Sequence, residues 1–178
     1  VTALPLIKAD LGFSTAQLSW IQNAYTLTLG GLLLLGARAG DILGRRRMFV
    51  WGLVVFMAAS LVVGVTETAQ IMILARVLQG LGAAVLVPST LALLSTSFPQ
   101  QPLRGRALAT YGSITGIGTS LGLVFGGWIA DAFDWRWAFL VNVPLGIVLA
   151  VAARFVFIES ATVKARIDVW GAVFSTLG

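Results

Sequence analysis

Neither cysteine nor histidine occurs in the 178 residues, and only seven residues are acidic. Without thiols there can be no disulfide and no cysteine nucleophile; without imidazole, the commonest general base and the commonest zinc ligand are gone too. Charge of either sign is scarce. Charged residues make up 11% of the chain, whereas a soluble domain carries about a quarter. Apolar residues supply 58%, and the mean hydropathy is +0.93. Helices of such composition, apolar on every side, would aggregate in water, so the solvent of this chain is lipid. The net charge of +5 raises nucleic acid as a partner. The basic residues, however, are spread over short turns between apolar runs and form no single patch, which points to the bilayer and away from nucleic acid.

A run of about 20 apolar residues crosses a hydrocarbon core of about 30 Å. Five complete runs are expected, over residues 15–40, 48–65, 71–98, 105–133 and 137–158. Residues 1–7 read as the tail of an earlier span, and 8–15 as a polar turn in which Ser14 and Gln17 have capping-box spacing. Charged or polar turns are expected at 41–47 and 66–70. Pro88 falls in the second half of the fourth helix, where a kink is expected; Pro99 and Pro102 are expected to end that helix. The fold class is thus an all-α, polytopic membrane helical bundle. Residues 1–160 form one helix bundle, from the end of helix 1 through helix 6, and 161–178 form a short connection and the start of a further helix. Because the chain opens without methionine and stops within an apolar stretch, a longer polypeptide is expected, with most of the first helix and a C-terminal half beyond these residues.

Orientation follows from the loops. Arg38, Arg45, Arg46, Arg47, Arg104, Arg106, Arg154, Lys164 and Arg166 gather on one side, against Lys8 and Arg136 on the other. The crowded side is expected to face the cytoplasm.

Three constellations stand out. In Gly36-Ala37-Arg38-Ala39-Gly40-Asp41-Ile42-Leu43-Gly44-Arg45-Arg46-Arg47, glycines let the chain reverse and helices approach. Asp41 suits a helix N-terminal dipole or an arginine, and the arginines suit anionic headgroups. A plain positive-inside turn is the simpler account, but it requires neither the acid nor the glycines. In Arg76-Val77-Leu78-Gln79-Gly80, an arginine stands inside a span. That costs about 2.5–3.5 kcal/mol on insertion scales, so Arg76 either snorkels to the surface or faces a polar cavity, with Gln79 beside it. On the fifth run, Gly118, Gly122 and Gly126 share one face, with Gly127 adjacent, and are expected to pack against another helix.

These stretches resemble motifs A, B and C of the major facilitator superfamily. The first is similar to Gly-x-x-x-Asp-x-x-Gly-Arg-Arg, with Ala37 at the usual first glycine. The resemblance assigns Gly40, Asp41, Gly44, Arg45 and Arg46 to a conformational switch, and Arg76, Gln79 and Gly80 to proton coupling. Gly118, Gly122, Gly126 and Gly127 take the place of the motif that points to efflux antiporters, with Leu123 where proline is usual, so a straighter helix is expected. Trp135-Arg136-Trp137-Ala138-Phe139 and Asn142-Val143-Pro144-Leu145-Gly146 account equally for simple interfacial anchoring and for a likeness to the drug:proton antiporters with fourteen spanning helices. Arg166-Ile167-Asp168-Val169-Trp170-Gly171 resembles the start of that family's extra helix pair.

The resemblance implies a multi-pass protein of the bacterial inner (plasma) membrane that works by alternating access, with no cofactor and no metal. The partners it implies are a small amphipathic substrate, the proton, the bilayer and the C-terminal half of the same transporter. The residues themselves suggest a cavity wall of Gln22, Asn23, Tyr25 and Thr26, with Gln79 opposite. Three functions stay open: proton-coupled efflux, a major facilitator importer or specific metabolite exporter, and a non-transporting scaffold. An intramembrane enzyme is disfavoured by the absence of a Ser-His pair and of paired intramembrane acids.

Overall fold

The computed structural model describes residues 4–157. The connection and further helix expected over 161–178 lie outside the described residues, as do Lys164 and Arg166. Within them the architecture is all-helical: α1 (Leu4–Leu11), α2 (Thr15–Leu43), α3 (Arg45–Val65), α4 (Ala69–Ser97), α5 (Gln101–Ala132), α6 (Trp137–Leu140) and α7 (Asn142–Val156). Five segments are long and apolar enough to cross a membrane, with α6 and α7 together counting as one.

The helix ends follow local chemistry. α1 continues through Lys8 and Asp10, where a turn was expected, and stops at Gly12, whose φ of 65° is open to glycine and whose N–H returns to the Lys8 carbonyl at 3.1 Å. The expected capping box opens α2: the Ser14 N–H donates to Gln17 Oε1 at 2.8 Å, and the Gln17 N–H donates to Ser14 Oγ at 3.3 Å. The seven-residue turn expected at 41–47 shrinks to one residue. α2 runs to Leu43, α3 begins at Arg45, and Gly44 between them has φ 100° and ψ 126°. A side chain at that φ would be strained, so a single glycine reverses the direction of a whole membrane span.

Proline acts differently at each position. Pro102 does not end the preceding helix; it sits in the first turn of α5, where its missing N–H is no loss. Pro144 deprives the Leu140 carbonyl of its helical donor, and the sixth span, expected as one helix over 137–158, divides there into α6 and α7. Pro88 lies within α4, which stays helical from Ala69 to Ser97.

α4 is the central helix, lying against α2 on one side and α3 on the other, while α7 and α6 pack on α3. Small residues bring these backbones together. A Cβ at Gly36 would fall on the carbonyl of Ala84, the group that Pro88 leaves without its helical N–H partner. One at Gly82 would come within 2.8 Å of the Gly52 carbonyl oxygen. The expected close approach of α2 is therefore made by Gly36, next to the alanine that replaces the usual motif glycine. Two apolar clusters fix the ends of the bundle. Ile7, Ile21, Val63, Met72 and Trp135 belong to one, and Phe49, Leu53, Leu93 and Ala153 form the other.

Candidate functional site

Arg76 sits two turns into α4 and is held on three sides. Its Nε donates to the Ile21 carbonyl of α2 at 3.0 Å, and Nη1 donates to Gln79 Oε1 at 2.8 Å. The guanidinium carbon lies 4.3 Å from the centroid of the Tyr25 ring, a cation–π distance. Gln79, 1% exposed, in turn donates from Nε2 to Ser60 Oγ of α3 at 2.6 Å; Ser60 is fully buried. One chain of contacts thus runs from α3 through α4 to α2. Gly80 makes it possible: a Cβ there would lie 2.7 Å from the Tyr25 carbonyl oxygen and 2.8 Å from Thr28 Cβ, so any larger residue would push away the helix that carries Tyr25. The snorkelling alternative for Arg76 does not describe this geometry, because its guanidinium is bonded to the Ile21 carbonyl of α2 and to Gln79 of its own helix and lies over the Tyr25 ring.

Arg76 opens onto a cavity of about 310 Å³, lined by Leu4, Ile7, Ile21, Gln22, Tyr25, Thr26, Arg76 and Phe139. Its walls are apolar and aromatic, with few polar groups, a composition suited to amphipathic molecules. Of the residues expected on this wall, Gln22, Tyr25 and Thr26 are there. Asn23 is exposed elsewhere on α2 and does not line the cavity, since neighbouring helical residues point about 100° apart. Gln79 reaches it only through Arg76. Ser60 was not singled out from the sequence; a lone serine in an apolar run carries no signal until its partner is known.

At the turn between α2 and α3, Asp41 meets an arginine, as expected: Arg45 Nη2 and Nε donate to Asp41 Oδ1 at 2.9 and 3.2 Å. Arg46 Nη1 donates to the Phe157 carbonyl at 3.1 Å, fastening the end of α7 to the start of α3. Gly40 packs near Ser89 of α4.

At the opposite end of the bundle is a second network that the sequence did not reveal. Asp10 Oδ2 accepts from Arg136 Nη1 at 2.9 Å and from the Trp135 indole Nε1 at 3.1 Å, joining segments 126 and 125 residues apart. Asp134 also holds Arg136, through its main-chain N–H at 2.8 Å and its Nη1 at 3.3 Å. The Trp135 hydrogen bond, followed by that from Arg136, keeps the Asp10 carboxyl below the usual carboxylate range.

The glycines of α5 find no partner helix among the described residues. Nothing lies within 4 Å of where a Cβ would be at Gly118, Gly122 or Gly126, and Ala130 alone is buried among the α5 residues. The helix–helix contact expected at this face, Gly127 beside it, is not made among the described residues. The reason is that α5 leans on its neighbours only sparsely.

The sequence profile of the Major Facilitator Superfamily matches residues 1–176. The chain belongs to that superfamily. It is 42% identical over 177 residues to the uncharacterized MFS-type transporter EfpA of Mycobacterium tuberculosis, covering 99% of this chain and 33% of that protein. It is 44% identical over 179 residues to the cephamycin export protein CmcT of Amycolatopsis lactamdurans, covering 99% of this chain and 37% of the relative. The puromycin resistance protein pur8 of Streptomyces alboniger is 41% identical over 177 residues, with 99% and 35% covered. This major facilitator chain therefore spans about a third of the length of these relatives. A crystal structure of the peptide transporter POT in complex with sulfate matches it with a TM-score of 0.75 at 19% identity, covering 86% of this chain and 34% of that one. That likeness establishes the fold. The chain is that of a multi-pass integral membrane protein.

Proposed function

We infer that this chain supplies one helix bundle of a secondary transporter that expels amphipathic or hydrophobic compounds in exchange for protons, by alternating access. The observation that carries the reading is Arg76, held inside a span by Ile21, Gln79 and Tyr25 at the wall of a mostly apolar cavity. A fixed positive charge there lowers the pKa of any carboxyl brought near it and so couples protonation to the position of the helices. Asp10, Asp41, Glu67, Asp131 and Asp134 all lie near helix ends; the proton-carrying carboxyl would come from the rest of the transporter. Relatives that carry export and resistance in their names, the cephamycin export protein and the puromycin resistance protein, support efflux. In this reading Gly40, Asp41, Gly44, Arg45 and Arg46 form the switch between α2 and α3: Gly44 is the pivot and the Asp41–Arg45 pair the catch.

Leu123, in place of the proline usual in antiporters, favours a second reading, an importer or a specific metabolite exporter. The deciding experiment is proton-gradient-dependent dye accumulation by everted vesicles carrying the full chain, wild type against Arg76→Ala at matched expression. Loss of gradient-driven uptake in the variant supports the antiporter. Full retention would make Arg76 a structural anchor, and labelled-substrate flux in the opposite direction would favour the importer.

A further inference from the structure

The wall of the Arg76 cavity comes from α1, α2, α4 and α6, and two of these, α1 and α6, are tied together by a bond made outside the cavity. Leu4 and Ile7 belong to α1 and Phe139 to α6. α1 is short and leans only lightly on α2, yet Ile7 is fully buried. One turn beyond Ile7, the Asp10 carboxylate accepts from Trp135 Nε1 at 3.1 Å and from Arg136 Nη1 at 2.9 Å. A turn after Trp135 stands Phe139, and the two rings meet edge to face with centroids 6.3 Å apart and planes at 81°. A line of contacts therefore runs from a carboxylate at the end of the bundle, through an indole, to the cavity wall. Trp135 is 3% exposed. The N–H is the one polar atom of its ring, and a buried indole donor without an acceptor is relieved only by turning the ring toward water.

We propose, resting on the reading that this cavity receives the transported molecule, that Asp10 is a positioning residue: by holding the Trp135 indole it fixes the Phe139 ring on the cavity wall and so sets which sizes of amphipathic molecule the cavity accepts. Arg136 has a lesser part. Its guanidinium lies over the Trp135 ring, 4.5 Å from the centroid, and Asp134 holds it through Nη1 and the main-chain N–H, an anchor independent of Asp10. The indole N–H has no second acceptor among the described residues. At about 310 Å³ the cavity is at the small end of pockets that take drug-sized ligands, so the place of one phenyl ring decides much of its shape. Gln22, Tyr25 and Arg76 stand on α2 and α4 and keep their positions without this relay.

The test is equilibrium binding of two fluorescent dyes, ethidium and the bulkier rhodamine 6G, to the full chain purified in detergent, with proton-driven transport of the same dyes measured in everted vesicles. The quantity read is the ratio of the two dissociation constants, which a general loss of folded protein leaves unchanged. Asp10→Ala frees the ring to yield and should shift the ratio about tenfold in favour of rhodamine 6G, the size of effect that a small change of fit has in an apolar pocket. Trp135→Phe, which keeps a ring and loses the N–H, should shift it in the same direction, as should Phe139→Ala. In the Trp135→Phe background Asp10→Ala should add little, since both act through one bond. Asp10→Asn keeps an oxygen for the indole and gives up the charge for Arg136, so it should retain the wild-type ratio, and Arg136→Gln should stay within about twofold of it. A wild-type ratio in Asp10→Ala overturns the proposal, as do additive effects in the double variant or an absence of dye binding by wild type. A shift in Arg136→Gln equal to that in Asp10→Ala overturns it too, because the ion pair and not the indole would then be the link. If Asp10→Ala does not stay monodisperse, Trp135→Phe is read in its place, and an unchanged ratio there is equally decisive. Dye binding without proton-driven transport would discard the efflux reading and leave this role of Asp10 standing.

Discussion

α4 and α5 are both long, glycine-rich membrane helices, yet they use their glycines in opposite ways. On α4, Gly80 and Gly82 touch the backbones of α2 and α3 so closely that a methyl group would collide with carbonyl oxygens, and Gly36 and Gly52 answer from the partner helices. On α5, a Cβ at Gly112, Gly116, Gly118, Gly122 or Gly126 would meet open space among the described residues. Small residues at helical spacing therefore state only that a helix can be approached. Whether it is approached, and by what, depends on the rest of the fold. In lipid, apolar burial drives little helix association, so contact is made where shapes allow backbones to interlock; α4 has such neighbours on both sides and α5 has few.

The sharpest way to break this contrast is to fill both sets of glycines. Gly36→Leu or Gly80→Leu should destabilise the protein by about 3 kcal/mol or more, because rigid backbone lies in the way. Gly122→Leu should shift stability by no more than about 0.5 kcal/mol. Thermal unfolding in detergent measures both. A drop for Gly122→Leu matching that for Gly80→Leu would show that α5 is as tightly packed as α4. Loss of dye transport by Gly122→Leu at unchanged melting temperature would instead give this face a moving partner beyond the described residues.

A smaller effect tests the polar chain through α4. Ser60→Ala removes the acceptor of a buried glutamine amide and should cost about 1–3 kcal/mol. If Gln79 orients Arg76, the pH profile of transport should shift as well, and Ser60→Thr, which keeps the hydroxyl, should restore it. A stability loss with an unaltered pH profile would reduce Ser60 to packing.

At the hinge, Gly44→Ala should cost about 1–2 kcal/mol, since φ near 100° is unfavourable to any residue with a Cβ. An unaffected melting temperature would mean that α2 and α3 do not turn at this residue.

The smallest expected effect lies at the far end of the bundle. The folded-state pKa of Asp10 is lowered by Trp135 and Arg136. Its contribution to stability is therefore present in full above the ordinary carboxyl pKa and disappears as pH falls through the lowered value. Asp10→Asn should lower the melting temperature slightly near neutrality and leave it unchanged at acid pH, so that the acid limb flattens; the drop is small because the pair is partly exposed to solvent. An acid limb identical to wild type would detach Asp10 from Arg136.

Much of the molecule was legible in its residues. Hydropathy placed the spans, because a helix in hydrocarbon must satisfy its own backbone and present apolar side chains over a fixed length. The Ser14–Gln17 capping box was readable too, as it joins residues within one turn of each other, and for Asp41 a helix dipole or an arginine was expected, with Arg45 singled out only by the structure. Boundaries were less so. The turn expected at 41–47 contracted to Gly44, and the sixth span broke ahead of Pro144, because apolar runs report where lipid is and not where the hydrogen-bond ladder is interrupted. Arg76 could be picked out by its position in a span. Its actual partners, Ile21, Tyr25 and the Gln79–Ser60 chain, could not.

What the sequence determined alone is thus the set of properties that act along the chain: the number of spans, the local caps, the glycine that permits reversal, and the excess of arginine at one end. Tertiary structure decided everything that joins distant segments. It brought Ser60 to Gln79, Asp10 to Arg136 and Gly36 to Ala84, and it left Gly118, Gly122 and Gly126 without a neighbour among the described residues. Hydrophobic periodicity cannot specify such pairs, since lipid rewards every apolar face alike and only the fit of one backbone against another selects which faces meet.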